Sequence, residues 1–200
     1  MADGRVVRVN DGNDSNVDRE TVLRLTAQGQ YPMRFYNTAI PKLDFDAPVV
    51  LTINPGEMTN RDFHRVDPPP KNLMFVRFRA NTWNAMLALT AYRYYSDQVP
   101  AVPFVMTFMA YHDRGTIPFA QRESYEWRTR TLNDYWCPKA DAVAWVMRHF
   151  VRQPAEKPLR PAPLLCAGQC RWCGVCLREY FATMERMRDE SLSLPAAIDQ

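Results

Sequence analysis

The segment Pro48-Val49-Val50-Leu51-Thr52-Ile53 is an uninterrupted, β-branched run closed by Asn54-Pro55-Gly56-Glu57. A strand exposed on one side alternates apolar and polar residues; one with no alternation is covered on both sides, as in parallel sheets flanked by helices. Beyond the prolines at 68–70, Leu73-Met74-Phe75-Val76-Arg77-Phe78-Arg79 reads as a second strand. Asn81 or Thr82 then offers an N-cap to a helix with Trp83, Met86, Leu87, Thr90, Ala91 and Tyr94 at helical spacing. Pro100 to Pro103 ends that helix, and Phe104 to Met109 is a third strand. Strand, connection, strand, helix, strand predicts an α/β fold: a parallel sheet with crossover helices, at its most curved a partial (β/α) barrel, carrying a C-terminal cysteine-cluster segment and helix.

The remaining pattern sets the expected organisation. Residues 1–18 are polar and read as a mobile arm, followed by a short helix around Val22, Leu23 and Leu25 that Gly29 ends. The main α/β domain spans 19–152, with a further strand from the alternation Tyr125 to Leu132 and an amphipathic helix from Ala140 to Val151. Residues 153–163 contain four prolines and read as a linker. Residues 164–190 hold the cysteine segment and a helix with Leu177, Tyr180, Phe181, Met184 and Met187 on one stripe, and 191–200 read as a frayed tail. No apolar run approaches the ~20 residues that span a bilayer, and the first residues lack a signal-peptide core, so a cytoplasmic, membrane-free protein is expected. Lys plus Arg number 25 against 22 for Asp plus Glu, an excess too mild to demand a nucleic-acid partner. No residue pattern specifies a substrate or an oligomeric state.

Four of the five cysteines lie in Cys166-Ala-Gly-Gln-Cys170-Arg-Trp-Cys173-Gly-Val-Cys176, immediately before a helix. Secreted disulfide scaffolds spread cysteines to staple distant loops; short spacings instead let successive thiolates wrap one metal centre, with Gly168 and Gly174 permitting the turns. The helix N-terminus favours the net negative charge of a four-thiolate site. Zinc usually takes two separated C-x2-C knuckles, whereas one compact run is more typical of iron–sulfur ligation, so an iron–sulfur centre is expected and a zinc ion is the alternative. Cys137 stands apart and reads as a buried structural thiol.

Cys166-x3-Cys170-x-Trp172-Cys173 resembles the signature of the radical S-adenosylmethionine superfamily, and Pro55-Gly56-Glu57 resembles that superfamily's Gly-Gly-Glu segment. The resemblance implies a [4Fe–4S] cluster on the first three cysteines, S-adenosylmethionine as small-molecule cofactor with its amino group at Gly56 and Glu57, and a radical-type enzyme on a partial barrel. In that superfamily the motif follows the first strand, so its C-terminal place here implies a permuted strand order, with Pro163-Leu164-Leu165 as the first strand. Cys176 is additional, and as a fourth ligand it would fill the iron position that the cofactor needs. Val49 to Arg188 also looks like a group of largely uncharacterised phage and plasmid proteins, through Val76 to Asn84, Thr107 to Tyr111, Arg130 to Trp136 and Cys173 to Phe181.

Reactive groups in parallel α/β proteins collect at the carboxyl ends of strands. Those positions are Asn54 and Glu57, Arg79 and Asn81, then Tyr111, His112 and Asp113. Each has a plainer reading as loop or cap, His112-Asp113 as an exposed turn most of all, and His64 and His149 have no supporting neighbours. Arg77 with Arg79, and Arg128 with Arg130, would serve an anionic ligand and keep nucleic acid as a weaker partner. The aromatics Trp83, Tyr92, Tyr94, Tyr95, Trp127, Tyr135 and Trp136 fit core packing better than base stacking.

Overall fold

The computed structural model describes residues 5–10, 13–29, 31–55, 62–129, 134–151, 162–166 and 173–191. Their elements are β1 (Val7–Arg8), α1 (Arg19–Gln28), β2 (Arg34–Thr38), β3 (Val49–Ile53), β4 (Leu73–Ala80), α2 (Ala85–Ser96), β5 (Phe104–Phe108), β6 (Tyr125–Thr129), β7 (Asp134–Pro138), α3 (Ala140–Val151), β8 (Leu164–Leu165) and α4 (Val175–Ser191). Six strands form one sheet in the order β1-β2-β3-β4-β5-β8. Every neighbouring pair is parallel, and the sheet curls into a half-barrel flanked by helices. The expected α/β fold with a partial barrel is what forms.

All five residues of β3 are buried, as the unbroken apolar run requires. On one side of the sheet Tyr36, Leu51, Ile53, Val76, Phe78, Phe104 and Met106 join Tyr92 and Tyr95 of α2 and Val146 and Phe150 of α3 in the larger core. On the other, Phe35, Val50, Phe75 and Val105 meet Val175 and Tyr180 of α4. Each large side chain removed from water in these layers contributes about 1.5–3 kcal/mol. A bulge interrupts the β3–β4 ladder: Val49 pairs with Leu73, but Val50 pairs with Phe75, leaving Met74 as the extra residue. The bulge reverses the phase of β4, so Phe75, Arg77 and Arg79 face α4 while Val76, Phe78 and Ala80 face α2.

Several expectations need correction. The segment read as a mobile arm enters the sheet from Val7, and Asp14 accepts hydrogen bonds from the Thr38 hydroxyl (2.7 Å) and the Ala39 N–H (2.6 Å). The cysteine segment is no appendage: β8 pairs with β5 through Val105–Leu164 and Met106–Leu165. It is the last of this sheet's six strands in chain order, at the edge opposite β1, not the first strand of a permuted sheet. Most of the expected linker lies outside the described residues. The strand expected from Tyr125 forms, but pairs antiparallel with β7 in a separate two-stranded sheet. Mutual backbone hydrogen bonds between Tyr111 and Trp136 (3.1 and 2.8 Å) tie it to the segment after β5.

The two helices read from periodicity have the right period and a shifted phase. In α2 the buried face carries Ala85, Ala88, Leu89, Ala91, Tyr92 and Tyr95, while Met86 is exposed. In α4 Tyr180 is buried and Met184 packs beside it, yet Leu177 and Phe181 are half exposed, while Glu179 and Thr183 are buried. Hydrogen bonds make that polar burial tolerable. The Thr183 hydroxyl donates to the Glu179 carbonyl (2.7 Å), and Arg186 donates to Thr183 (3.0 Å) and to the Leu73 carbonyl of β4 (2.9 Å). This rotation turns the cysteine-bearing side of α4 towards the sheet.

Candidate metal centre

Cys166 is positioned by β8. Its N–H donates to the Met106 carbonyl at 2.8 Å, extending the ladder one residue, and it shares the side of Leu164, which packs in the α4 layer. Cys173 lies just before α4 and Cys176 in its first turn, separated by Val175 and by Gly174, whose φ of 65° is a left-handed conformation that a Cβ would strain. The three thiols, none in a disulfide, line one cavity of about 60 Å³ with Phe75, Arg77 and Val105. Cys170 lies outside the described residues. Among the described residues no three His, Cys, Asp or Glu side chains converge closely enough to hold a metal ion. The donor chemistry around the cavity nevertheless suits a thiolate-bound centre: soft sulfur ligands, apolar walls and one guanidinium.

That guanidinium is the strongest electrostatic feature of the site. Arg77 is only 8% exposed. Its Nη1 donates to Asn37 Oδ1 at 3.0 Å, the same oxygen accepts the Thr52 hydroxyl at 3.0 Å, and the guanidinium lies 5.6 Å from the centre of the Phe75 ring. No described carboxylate bridges it. Burial holds its pKa below the usual guanidinium value and the charge of Arg8 pushes the same way, while the nearby sulfurs of Cys176 and Cys166 oppose them. A buried cation whose opposing charges are sulfurs is costly unless those sulfurs are anionic.

One step further along β4, Arg79 donates to Asn54 Oδ1 at 3.3 Å and lies beside Thr107 of β5. Cys166 follows the last registered pair of β8, so Asn54, Arg79, Thr107 and Cys166 form a polar row at the carboxyl ends of four adjacent strands. Gly56 and Glu57, the expected contacts for a cofactor amino group, lie outside the described residues. Asn81 is committed internally: Oδ1 accepts the Trp83 and Asn84 N–H groups (3.1 and 2.7 Å), and Nδ2 donates to the Tyr111 hydroxyl (2.8 Å). It shapes the turn before α2, whose N-cap residue is Asn84 and not the expected Asn81 or Thr82.

Burial raises the Tyr111 pKa against the hydrogen bond from Asn81 and the charge of Arg79, and burial pushes Tyr125 up to about 12 against hydrogen bonds from Thr82. Trp83 stacks on Tyr111 with ring centres 5.5 Å apart, so these aromatics pack together at the strand ends. His112 is exposed and bonds the Asp134 carbonyl, while Asp113 accepts the Gly115 N–H at 2.8 Å, making this pair a turn. Cys137 is half-buried in β7 and donates to Glu126 at 3.5 Å. Arg128 pairs with Glu126 (Nε to Oε1 2.7 Å) and so is committed locally, and Arg130 is outside the described residues.

Arg77 was legible only as one of two strand arginines. Its partner Asn37 carried no signal, because β2 is too polar to stand out as a strand, and Thr52 sat unremarked within the β3 run. Compared with protein-family models, with curated proteins and with solved structures, the chain matches none.

Proposed function

We propose that this chain is a cytoplasmic iron–sulfur protein resembling radical S-adenosylmethionine enzymes, with its cluster held by Cys166, Cys170 and Cys173 and Cys176 beside it. The observation that carries the reading is one cavity bringing together Cys166 from the sheet edge, Cys173 and Cys176 from the start of α4, and the buried Arg77. Thiolate clusters carry net negative charge, and a desolvated guanidinium on an apolar wall is a complement for it. The parallel half-barrel and the row Asn54, Arg79, Thr107 next to Cys166 support a polar small-molecule cofactor at the carboxyl end of the sheet. When bound, such a cluster would supply one-electron reduction chemistry to that cofactor. The chain's own residues would do the rest: thiols ligate, Arg77 balances charge, and Arg79 and Asn54 orient polar groups.

The test is electron paramagnetic resonance of anaerobic, dithionite-reduced protein with and without S-adenosylmethionine. The reading predicts a cluster signal that the cofactor perturbs, and that Cys176→Ala retains while Cys173→Ala loses it. A cluster lost in Cys176→Ala and indifferent to S-adenosylmethionine marks a closed redox or structural centre instead. A colourless protein with one zinc ion per chain marks a zinc-stabilised accessory protein, for which nucleic acid is the partner to assay.

A further inference from the structure

We infer that the outer edge of β6 is a self-association surface, at which two copies of this chain pair antiparallel about a two-fold axis through Trp127. The inference is independent of the iron–sulfur reading. Sheet edges are normally blunted, because their unpaired backbone groups recruit other strands. The six-stranded sheet obeys this rule, since its edge strands β1 and β8 are two residues each. The second sheet does not. It consists of β6 and β7 alone, a pairing that is marginal by itself, and the five residues of β6 have no strand on their outer side among the described residues. The β6–β7 register runs without a bulge, and β6 contains neither proline nor glycine.

The outward-pointing groups of β6 are fixed by β7. Trp136 commits both its N–H and its carbonyl to Tyr111, at 2.8 and 3.1 Å, so its pairing with Trp127 is of the kind that exchanges no hydrogen bonds. The Lys139 N–H reaches the Ser124 carbonyl at 2.9 Å, an odd number of positions from Trp127, which fits the same phase. The backbone groups of Trp127 and Thr129 therefore face away from β7, and those of Trp127 have no partner among the described residues. Two copies can exchange N–H to carbonyl bonds at Trp127, and each Thr129 N–H can reach the other copy's Tyr125 carbonyl. Charge selects this partner over a foreign strand. Glu126 and Arg128 flank Trp127 on the face opposite the Trp127–Trp136 ring pair, with side chains 41% and 53% exposed. In the Trp127-centred register each Glu126 stands opposite the other copy's Arg128, in the closer type of cross-strand pair, with Cα atoms ~4.5 Å apart. A slip of two residues in either direction opposes two glutamates or two arginines instead, so the charges specify one register.

The experiment is sedimentation velocity of full-length protein, purified without oxygen and kept under reductant so that no disulfide links copies. Wild type is expected to associate reversibly, with rising concentration, to twice the 23.2 kDa of one chain. Arg128→Glu and Glu126→Arg each place like charges at both cross-strand positions and should weaken association at least ~10-fold. An equal mixture of these two single variants should regain it, because each copy then meets its opposite. Should a single variant fail to fold, hydrogen exchange of wild type decides the matter: the Trp127 N–H should exchange slowly in the dimer and fast on dilution. Wild type that stays monomeric overturns the inference, even if it captures another chain's strand on β6. Single variants that dimerise as wild type does, a mixture that stays monomeric, or Trp127 exchange indifferent to concentration overturn it as well.

Discussion

The two sides of β4 use one strand for opposite purposes. Towards α2 it presents Val76, Phe78 and Ala80, all fully buried among apolar neighbours. Towards α4 it presents Phe75, then Arg77 and Arg79, whose charges meet amides, a hydroxyl-bearing neighbour and thiols. The first side is assembled for burial alone, and its residues are interchangeable to the extent that volume is kept. The second combines an apolar half, which docks α4, with a polar half that no burial argument explains. Desolvated charge facing sulfur is the mark of a site rather than a core.

Breaking the first side should cost most in stability and least in chemistry. Phe78→Ala removes a fully buried ring and should lower unfolding free energy by about 3–5 kcal/mol, measured in denaturant, while the folded fraction keeps its metal. On the other side Cys173→Ser should abolish metal binding in elemental analysis and loosen α4, because binding free energy at such a site is also folding free energy. Asn37→Ala leaves Arg77 without its amide partner and should cost about 2 kcal/mol in the same unfolding assay, without loss of metal. Cys137→Ser should leave metal content unchanged, since Cys137 lies in the separate hairpin and bonds Glu126.

The smallest effect is visible only at high pH. Burial pushes the Tyr125 hydroxyl up to about 12 in the folded chain, against ~10 when unfolded. Its raised value means that the folded state holds the proton longer. The associated stability is therefore complete below about pH 10 and lost as pH rises towards 12. Tyr125→Phe should flatten the decline in stability across that interval in denaturant titrations and leave neutral-pH behaviour almost unchanged.

This contrast also explains what the sequence made legible. β3, β4 and β5 stood out because apolar runs of five to eight residues bounded by proline or glycine have few other uses. β1 and β8, two residues each, are strands only because the sheet is there to receive them. β2 mixes Arg34, Asn37 and Thr38 with its aromatics, and its polar positions make sense only once Arg77 is found opposite. Helical period was readable in α2 and α4, but phase was not. Alanines packing close to the sheet, Thr183 bonded to the Glu179 backbone carbonyl, and the Glu179 carboxylate bonded by Arg178 carry no hydrophobic signal. For the candidate site, local spacing pointed to the thiols, whereas the guanidinium facing three of them depends on a one-residue bulge that no periodicity announces.

The most direct test of the claim that the α4 side of the sheet is built around an iron–sulfur centre is the metal and acid-labile sulfide content of wild-type protein purified without oxygen. The account predicts brown protein with iron and sulfide in similar amounts per chain. Colourless protein with zinc and no sulfide, or with no metal at all, would contradict it.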